Sequence, residues 1–226
     1  MFSGISKAER IDVLTYIPKQ APPILKIASD EQKKYFPELP TPWYLGGLAE
    51  QESCISLTHS KCFNAKSKLM SNRELGGGIF QLTKAYRADG SIRFDSLEGM
   101  KKQHEDELED LNWDTIWVRP DLQIRAGILM TRDNYRALYK INSPYERLNM
   151  TDSAYNCGMG CVNKARVECG LRKGCDPQVW FGNVEKIQTL SLKPIYGTQS
   201  PYSINRLHVY NVRMIRMEKY KPYFVQ

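Results

Sequence analysis

The clearest hydrophobic pattern in the chain lies in residues 41–56 and predicts a short amphipathic helix. Thr41 is a suitable N-cap, and Pro42 suits the first helical position. The residues at i, i+3, i+4 and i+7, which share one face of this helix, are Leu45, Leu48, Ala49 and Glu52. Ile55 continues this face, and Glu50 projects from nearly the opposite side.

Glu52 is therefore a carboxyl group set in an apolar stripe. Removal from water disfavours the charged form of a carboxyl group. We therefore expect Glu52 to keep its proton near neutral pH, as a general acid must. The alternative interpretation is a glutamate at a helix end that turns its carboxylate to solvent.

Later segments of the chain also show helical patterns. A core helix is predicted from Pro120, and Ser143-Pro144 signals the start of another helix. Residues 151–170 predict two helices that meet at Gly158 and Gly160. The last segment predicts a closing helix. We expect its buried side to hold Ile204, Leu207, Tyr210, Met214 and Ile215, and its other side to hold Arg206, Arg213, Arg216 and Lys219.

The segments between these helices are polar. Residues 57–75 predict a long irregular loop, and residues 84–113 predict a charged connector with a solvated helix in its second half. Residues 1–38 are interpreted as an N-terminal extension that packs as an arm. Residues 39–226 are interpreted as one domain, which carries the candidate catalytic residue.

Composition and charge narrow the function classes. The chain has 226 residues with 32 Lys plus Arg against 25 Asp plus Glu, a net charge of +7. This balance favours an anionic partner such as nucleic acid, an acidic membrane surface or a cell-wall polymer. No run of roughly 18 apolar residues is present, so we expect no transmembrane segment. The first 23 residues lack an apolar core, so we expect no ordinary secretory signal.

Six cysteines make disulfides the favoured interpretation, with the connectivity left open. They are Cys54, Cys62, Cys157, Cys161, Cys169 and Cys175. A zinc site is a weaker alternative because the spacings fit the usual ligand pairs poorly. Free thiols are the third alternative.

Four segments, in this order, resemble the soluble lytic transglycosylase family, which shares the lysozyme-like fold with goose-type lysozymes. They are the helix ending GLAEQES, the segment Gly78-Ile79-Phe80-Gln81-Leu82, the core helix around residues 123–129, and Ala154-Tyr155-Asn156-Cys157-Gly158-Met159-Gly160-Cys161-Val162. Together with the closing helix, the resemblance covers about residues 42–220. It implies a mainly α, lysozyme-like fold with long loops.

The resemblance also implies roles for individual residues. Glu52 matches the catalytic acid, and the substrate-binding positions match Ser53, Gly78, Ile79, Phe80, Gln81, Tyr155 and Asn156. Two departures stand out. Ile79-Phe80 replaces the family's Leu-Met, and the loop between Ser53 and Gly78 is longer than usual.

The implied substrate is the β-1,4 bond between N-acetylmuramic acid and N-acetylglucosamine in peptidoglycan. A lytic transglycosylase needs one glutamate, Glu52, and forms a 1,6-anhydro product without a metal or cofactor. A hydrolytic muramidase instead wants a second carboxylate, for which Glu74 is the best candidate. A non-catalytic glycan-binding or structural virion module is a further alternative, and a nucleic-acid-binding module explains only the charge.

The resemblance and the absence of a recognised signal together favour a bacteriophage product. It would be made in the host cytoplasm and act on cell-wall peptidoglycan, as an endolysin or as a virion component in contact with other virion proteins. We expect no specific nucleic-acid partner.

Overall fold

The computed structural model describes residues 11–225, and this part of the chain is mainly helical, as predicted. The helices, in chain order, are α1 (Ala21–Tyr35), α2 (Tyr44–Ser53), α3 (Ser96–Gln103), α4 (Glu105–Leu108), α5 (Pro120–Ala137), α6 (Pro144–Cys157), α7 (Met159–Gly170) and α8 (Pro201–Tyr210). None of them is both long enough and apolar enough to cross a membrane.

A four-stranded antiparallel sheet interrupts the helices. Its strands lie in the order β1 (Lys68–Met70), β2 (Glu74–Gly77), β3 (Leu82–Tyr86) and β4 (Ile92–Asp95). The sequence interpretation of residues 57–75 as wholly irregular, and of the first half of residues 84–113 as a connector without strands, was wrong. The helix predicted in the second half of residues 84–113 is confirmed by α3 and α4. The strands are short and largely exposed, so their hydrophobic alternation is weak. The Asp89-Gly90 pair, with φ +82° at Gly90, was the available hairpin signal.

One hydrophobic cluster joins α1, α2, α5 and the end of the chain. Its members include Ala21, Leu25, Leu45, Leu48, Phe80, Ile124 and Tyr220. Helix α1 therefore packs on the same core as α2, in keeping with a packed arm. Residues 1–10 of the predicted extension, and Gln226, lie outside the described residues. The boundary at residue 38 stays a prediction.

The helix starts around α2, α5 and α6 follow their proline signals with one shift. Pro120 and Pro144 each begin a helix, and the Ser143 hydroxyl accepts a hydrogen bond from the Glu146 amide at 3.3 Å. Helix α2 begins at Tyr44 rather than Pro42. Residues 41–44 form a preceding turn, closed by the Tyr44 amide donating to the Thr41 carbonyl at 3.0 Å.

The prediction for the buried side of the closing helix was wrong. After α8 the chain continues as a π-helical stretch (Asn211–Arg216) and a 3-10 segment (Glu218–Tyr223). The predicted buried side is half exposed at Leu207, Tyr210 and Met214, whereas Arg213 is 2% exposed. The Arg213 Nε donates to Asn149 Oδ1 at 2.7 Å. Polar residues turn inward here because α6 offers them partners.

All six cysteines form disulfides between near neighbours in the sequence. The pairs are Cys54–Cys62, Cys157–Cys161 and Cys169–Cys175. The zinc and free-thiol alternatives do not apply to this structure. The first pair links the end of α2 to the following loop, and the second spans the corner between α6 and α7.

Two segments that carry the family resemblance pack directly on each other. A Cβ added to Gly127 would lie 2.6 Å from Cγ of Phe80, so only glycine allows this approach of α5 to the Phe80 ring. Beside it, the Gln123 side chain accepts from the Ile79 amide at 3.0 Å and donates to the Ala65 carbonyl at 3.0 Å. This contact fixes the chain that leads into Gln81.

We expect Gly127→Ala to destabilise the fold. Overpacking of a core costs about 1–3 kcal/mol, while Ala in place of Gly inside a helix gains about 1 kcal/mol. The net loss in the free energy of unfolding, measured by urea denaturation, should be about 1 kcal/mol, and at most about 2 kcal/mol. Gly99→Ala in α3 is the matched control, because an added Cβ there meets nothing within 4 Å. The control should be slightly stabilising. Equal stability of both variants would contradict the close contact with Phe80.

Candidate active site

A groove of about 860 Å³ lies between the end of α2, the sheet, the corner of α6 and α7, and α8. The predicted site residues on its wall are Glu52, Ser53, Glu74, Gln81, Tyr155 and Asn156. The fold therefore brings together side chains from positions more than 100 residues apart. The groove has the size of a site for a small organic ligand or a stretch of polymer.

Glu52 lies in the last turn of α2 with its side chain 17% exposed. The three apolar residues predicted to share its face are buried, but Ile55 is 75% exposed because the helix ends at Ser53. The setting of Glu52 is not simply apolar. Its Oε1 lies 2.6 Å from Nε2 of His208. The apolar stripe predicted around Glu52 is therefore only part of its surroundings.

His208 connects Glu52 to a second carboxylate. Its Nδ1 lies 3.0 Å from Oδ2 of Asp152, and the Tyr44 hydroxyl donates to Asp152 Oδ1 at 2.8 Å. The Asp152 side chain is fully buried and the His208 side chain is 4% exposed. We call Tyr44, Asp152, His208 and Glu52, in this order, the imidazole chain.

The imidazole chain shifts the proton affinity of its members. Burial alone would lower the pKa of His208, but the charges and hydrogen bonds of Asp152 and Glu52 raise that pKa to about 10. Burial, together with the charge of Asp152, raises the pKa of Tyr44 well above its ordinary value. The position of His208 between two carboxyl groups therefore favours its protonated form at neutral pH.

The sequence did not reveal His208 or Asp152. His208 is 156 positions from Glu52 and 56 from Asp152, so no local spacing links them. The one usable signal was the helical phase of Asn205, His208, Val209 and Val212, which form the buried side of the closing segment. A histidine on that side requires a buried polar partner.

Tyr155 and Asn156 stand at the end of α6, as predicted. The Tyr155 hydroxyl donates to the Phe80 carbonyl at 2.8 Å, and burial, followed by the charges of Glu52 and Asp152, raises its pKa well above the ordinary value. Asn156 is exposed in the groove. Its Oδ1 accepts from Asn205 Nδ2 at 3.0 Å. Its own Nδ2 has no hydrogen-bond partner among the described residues.

Gln81 reaches the groove, but the three residues before it do not. Gly78, Ile79 and Phe80 are buried and do not line the groove, because Ile79 and Phe80 pack in the core. These three residues lie beneath the groove wall, and their predicted contact with a substrate stays a prediction. Gln81 has φ +47°, and its Nε2 donates to the Gly78 carbonyl at 2.7 Å. Its Oε1 is buried without a hydrogen-bond partner among the described residues.

Ser53 has a structural role in this geometry. Its hydroxyl donates to the Ala49 carbonyl at 2.6 Å and accepts from the Phe63 amide at 2.9 Å. It is 3% exposed although it touches the groove wall. Its hydroxyl is therefore committed to closing the end of α2.

The opposite wall of the groove carries charge. Glu74, at the start of β2, accepts a hydrogen bond from the Tyr196 hydroxyl, and this bond, followed by burial, raises the pKa of Tyr196. The cations on the same groove are Lys61, Lys68 and Arg93. The site thus combines two carboxylates with a basic rim, which suits a polar substrate that carries negative charge.

Searches of protein families, of curated proteins and of solved structures find no match to this chain.

The raised pKa of His208 predicts a pH-dependent contribution to stability. A folded-state pKa above the unfolded value of about 6.5 gives stability that is complete below that pH and is lost as pH rises towards 10. The wild type should therefore have a higher free energy of unfolding than His208→Gln. This difference should be largest near pH 6 and should shrink steadily towards pH 10. Urea denaturation at a series of pH values measures it. A difference independent of pH would show that His208 is not an imidazolium in the folded protein.

Proposed function

We propose that this chain is a peptidoglycan-degrading glycosidase of the lysozyme-like class that cleaves the β-1,4 bond between N-acetylmuramic acid and N-acetylglucosamine, most simply as a lytic transglycosylase. The observation that carries this proposal is the position of Glu52 on a groove wall shared with Gln81, Tyr155 and Asn156. The resemblance assigns these four residues to one site, and they come from three separate segments of the chain.

The groove chemistry agrees with a transglycosylase. The Glu52 carboxyl group donates a proton to the glycosidic oxygen while an oxocarbenium-like centre forms at C1 of the muramic acid. The bond from C1 to that oxygen breaks, and the released hydroxyl keeps the proton. The Glu52 carboxylate then removes the proton from the C6 hydroxyl, whose oxygen bonds to C1. This gives the 1,6-anhydro ring and returns the proton to Glu52.

The groups around Glu52 suit the other needs of this reaction. Asn156 presents an amide group for the polar edges of the sugar, and the three cations of the rim suit the carboxylates that peptidoglycan carries. The Gln81 side chain is bonded to the Gly78 carbonyl and supports this wall of the groove. Tyr155 keeps its proton at any working pH, so it acts as a hydrogen-bond donor and not as a base.

A hydrolytic muramidase is the second candidate, and one observation favours it. Glu74 lines the same groove as Glu52, across from it on β2. An inverting hydrolase uses such a second carboxylate as a base for water, at about 6.5–9.5 Å from the acid. The hydrogen bond from Tyr196 holds one Glu74 oxygen, and within residues 11–225 the other oxygen has no hydrogen-bond donor and could accept from water.

We further propose a biological setting. The protein acts on cell-wall peptidoglycan as a bacteriophage endolysin or as a virion component beside other virion proteins. The basic net charge of +7 suits anionic wall polymers. A non-catalytic virion module would use the same groove for binding only.

Replacing Glu52 tests the catalytic proposal. Purified sacculi digested by the wild type should release muropeptides with 1,6-anhydro ends, identified by mass spectrometry. Glu52→Gln should lower this release by a factor of roughly 10² to 10⁴, the usual contribution of a general acid. Glu98→Gln, an exposed change in α3, is the matched control and should be fully active. Equal release by wild type and Glu52→Gln would remove Glu52 from the mechanism.

Replacing Glu74 separates the two product chemistries. A transglycosylase does not need a second carboxylate, so Glu74→Gln should keep most of the wild-type rate and its anhydro products. In a muramidase the same change should abolish release, and the wild-type products should carry reducing ends. The measurement is the ratio of anhydro to reducing ends in both digests. Reducing ends together with an inactive Glu74→Gln would favour the hydrolase.

A further inference from the structure

The imidazole chain has a defined direction. Asp152 is fully buried, and its two oxygens accept from Tyr44 at 2.8 Å and face His208 Nδ1 at 3.0 Å. A carboxylate at Asp152 can only accept hydrogen bonds, so it requires a proton on Nδ1 of His208. The other ring nitrogen, Nε2, is therefore the one that can exchange a proton with Glu52.

His208 Nε2 and Glu52 Oε1 lie 2.6 Å apart. A proton between these two atoms can be bonded to either of them. On Nε2 it gives an imidazolium facing a carboxylate, and on Oε1 it gives a neutral imidazole facing a carboxylic acid. Solvent in an open groove stabilises the charged pair. When water is removed, the cost of keeping both groups charged rises and the neutral pair gains.

We propose that His208 is a positioning residue that holds a proton beside Glu52 and transfers it to the Glu52 carboxyl group when a glycan strand fills the groove. This inference rests on the proposed function and adds the source of the proton that Glu52 donates. It also explains how a glutamate with a cationic neighbour can act as an acid.

The proton balance of this device closes over one turnover. The bond from the proton to Nε2 breaks and the bond to Oε1 forms. His208 is then neutral and keeps the proton on Nδ1, which still donates to Asp152. Rotation about the Cγ–Cδ bond of Glu52, a soft torsion, turns the acid towards the groove. The proton then passes to the glycosidic oxygen, and the C6 hydroxyl replaces it on Glu52. When product leaves, the proton returns to Nε2.

The charged and titratable groups that face this pair come from three elements. Helix α2 contributes Tyr44 and Glu52, and helix α6 contributes Asp152 and Tyr155. From the closing segment, the Arg213 guanidinium acts on Asp152 and Tyr44. The two phenols stay protonated and Arg213 stays charged. Over the working range of pH, the proton shared by Glu52 and His208 is therefore the one that moves.

The pH profile of lysis is the main test. His208→Gln keeps a hydrogen-bond donor but cannot store a proton, so Glu52 must take its proton from solvent. We expect the release of muropeptides from sacculi to fall roughly 100-fold at pH 8 and to recover as pH falls towards 5. The wild type should stay active across this range. His104→Gln is the matched control, because His104 Nε2 also lies 2.6 Å from an aspartate oxygen, on Asp133, outside the groove. It should keep the wild-type profile.

A second measurement does not depend on the variant folding. In protein labelled with ¹⁵N at histidine, the Nε2 shift of His208 should be that of a protonated nitrogen in the free protein at pH 7. It should move towards that of a bare nitrogen when the 1,6-anhydro disaccharide, which is not cleaved further, is added. A protonated Nε2 in both states overturns the inference.

The two proposals fail in different ways. If Glu52→Gln digests sacculi as well as the wild type does, the proposed function fails and this inference fails with it. If Glu52→Gln is inactive while His208→Gln shows the wild-type profile at a uniformly reduced rate, His208 is only structural and this inference alone is overturned.

Discussion

The buried contact of His208 with Asp152 and Glu52 is the interaction on which the site depends. It ties the closing helix α8 to α2 on one side and to α6 on the other, and these three elements form one side of the groove. A buried carboxyl group needs polar partners to be tolerated, and Asp152 has them in His208 and Tyr44. The position of the Glu52 carboxyl group is therefore set by a buried polar network.

Two glutamates two positions apart in α2, Glu50 and Glu52, have different surroundings. Glu50 is 1% exposed and is paired with Arg216 at 2.8 Å and Lys219 at 2.6 Å. The Tyr220 hydroxyl also donates to it, at 2.5 Å. Two cations and a phenol satisfy Glu50 completely, so it anchors the end of the chain. In the described part of the chain, the Glu52 carboxyl group has one hydrogen-bond partner, His208, and it also lines the groove.

The helical framework was predictable where one local signal decides the structure. Pro120, Pro144 and Gly158 mark starts and ends by their backbone properties alone, and the structure has helix boundaries there. The sheet was missed because strands of three to five residues with one exposed face leave little hydrophobic pattern. Its polar residues are nevertheless the wall that carries Glu74 and Arg93.

The candidate site was predictable only in part, for the same physical reason. Glu52, Gln81, Tyr155 and Asn156 stand in segments that resemble a family, and the structure brings them to one groove. The partners of Glu52 carry no such local signal. In the closing segment, hydrophobicity placed Leu207 and Met214 inside, yet Asn205, His208 and Arg213 are buried. Specific hydrogen bonds to α6 outweigh the free-energy cost of moving these polar groups out of water. A pattern of hydrophobic positions carries no information about such hydrogen bonds.

Charge counting reconciles the imidazolium with an acid function for Glu52. Two carboxylates share one cation along the imidazole chain, so a fully ionised chain carries one excess negative charge in a largely buried setting. Asp152 has two donors and no exposure, whereas Glu52 has one donor and 17% exposure. Of the two, Glu52 depends more on water for the stability of its charge. We therefore propose that filling the groove removes that water and moves a proton to Glu52 first, the state that the apolar stripe of α2 predicts for a different reason.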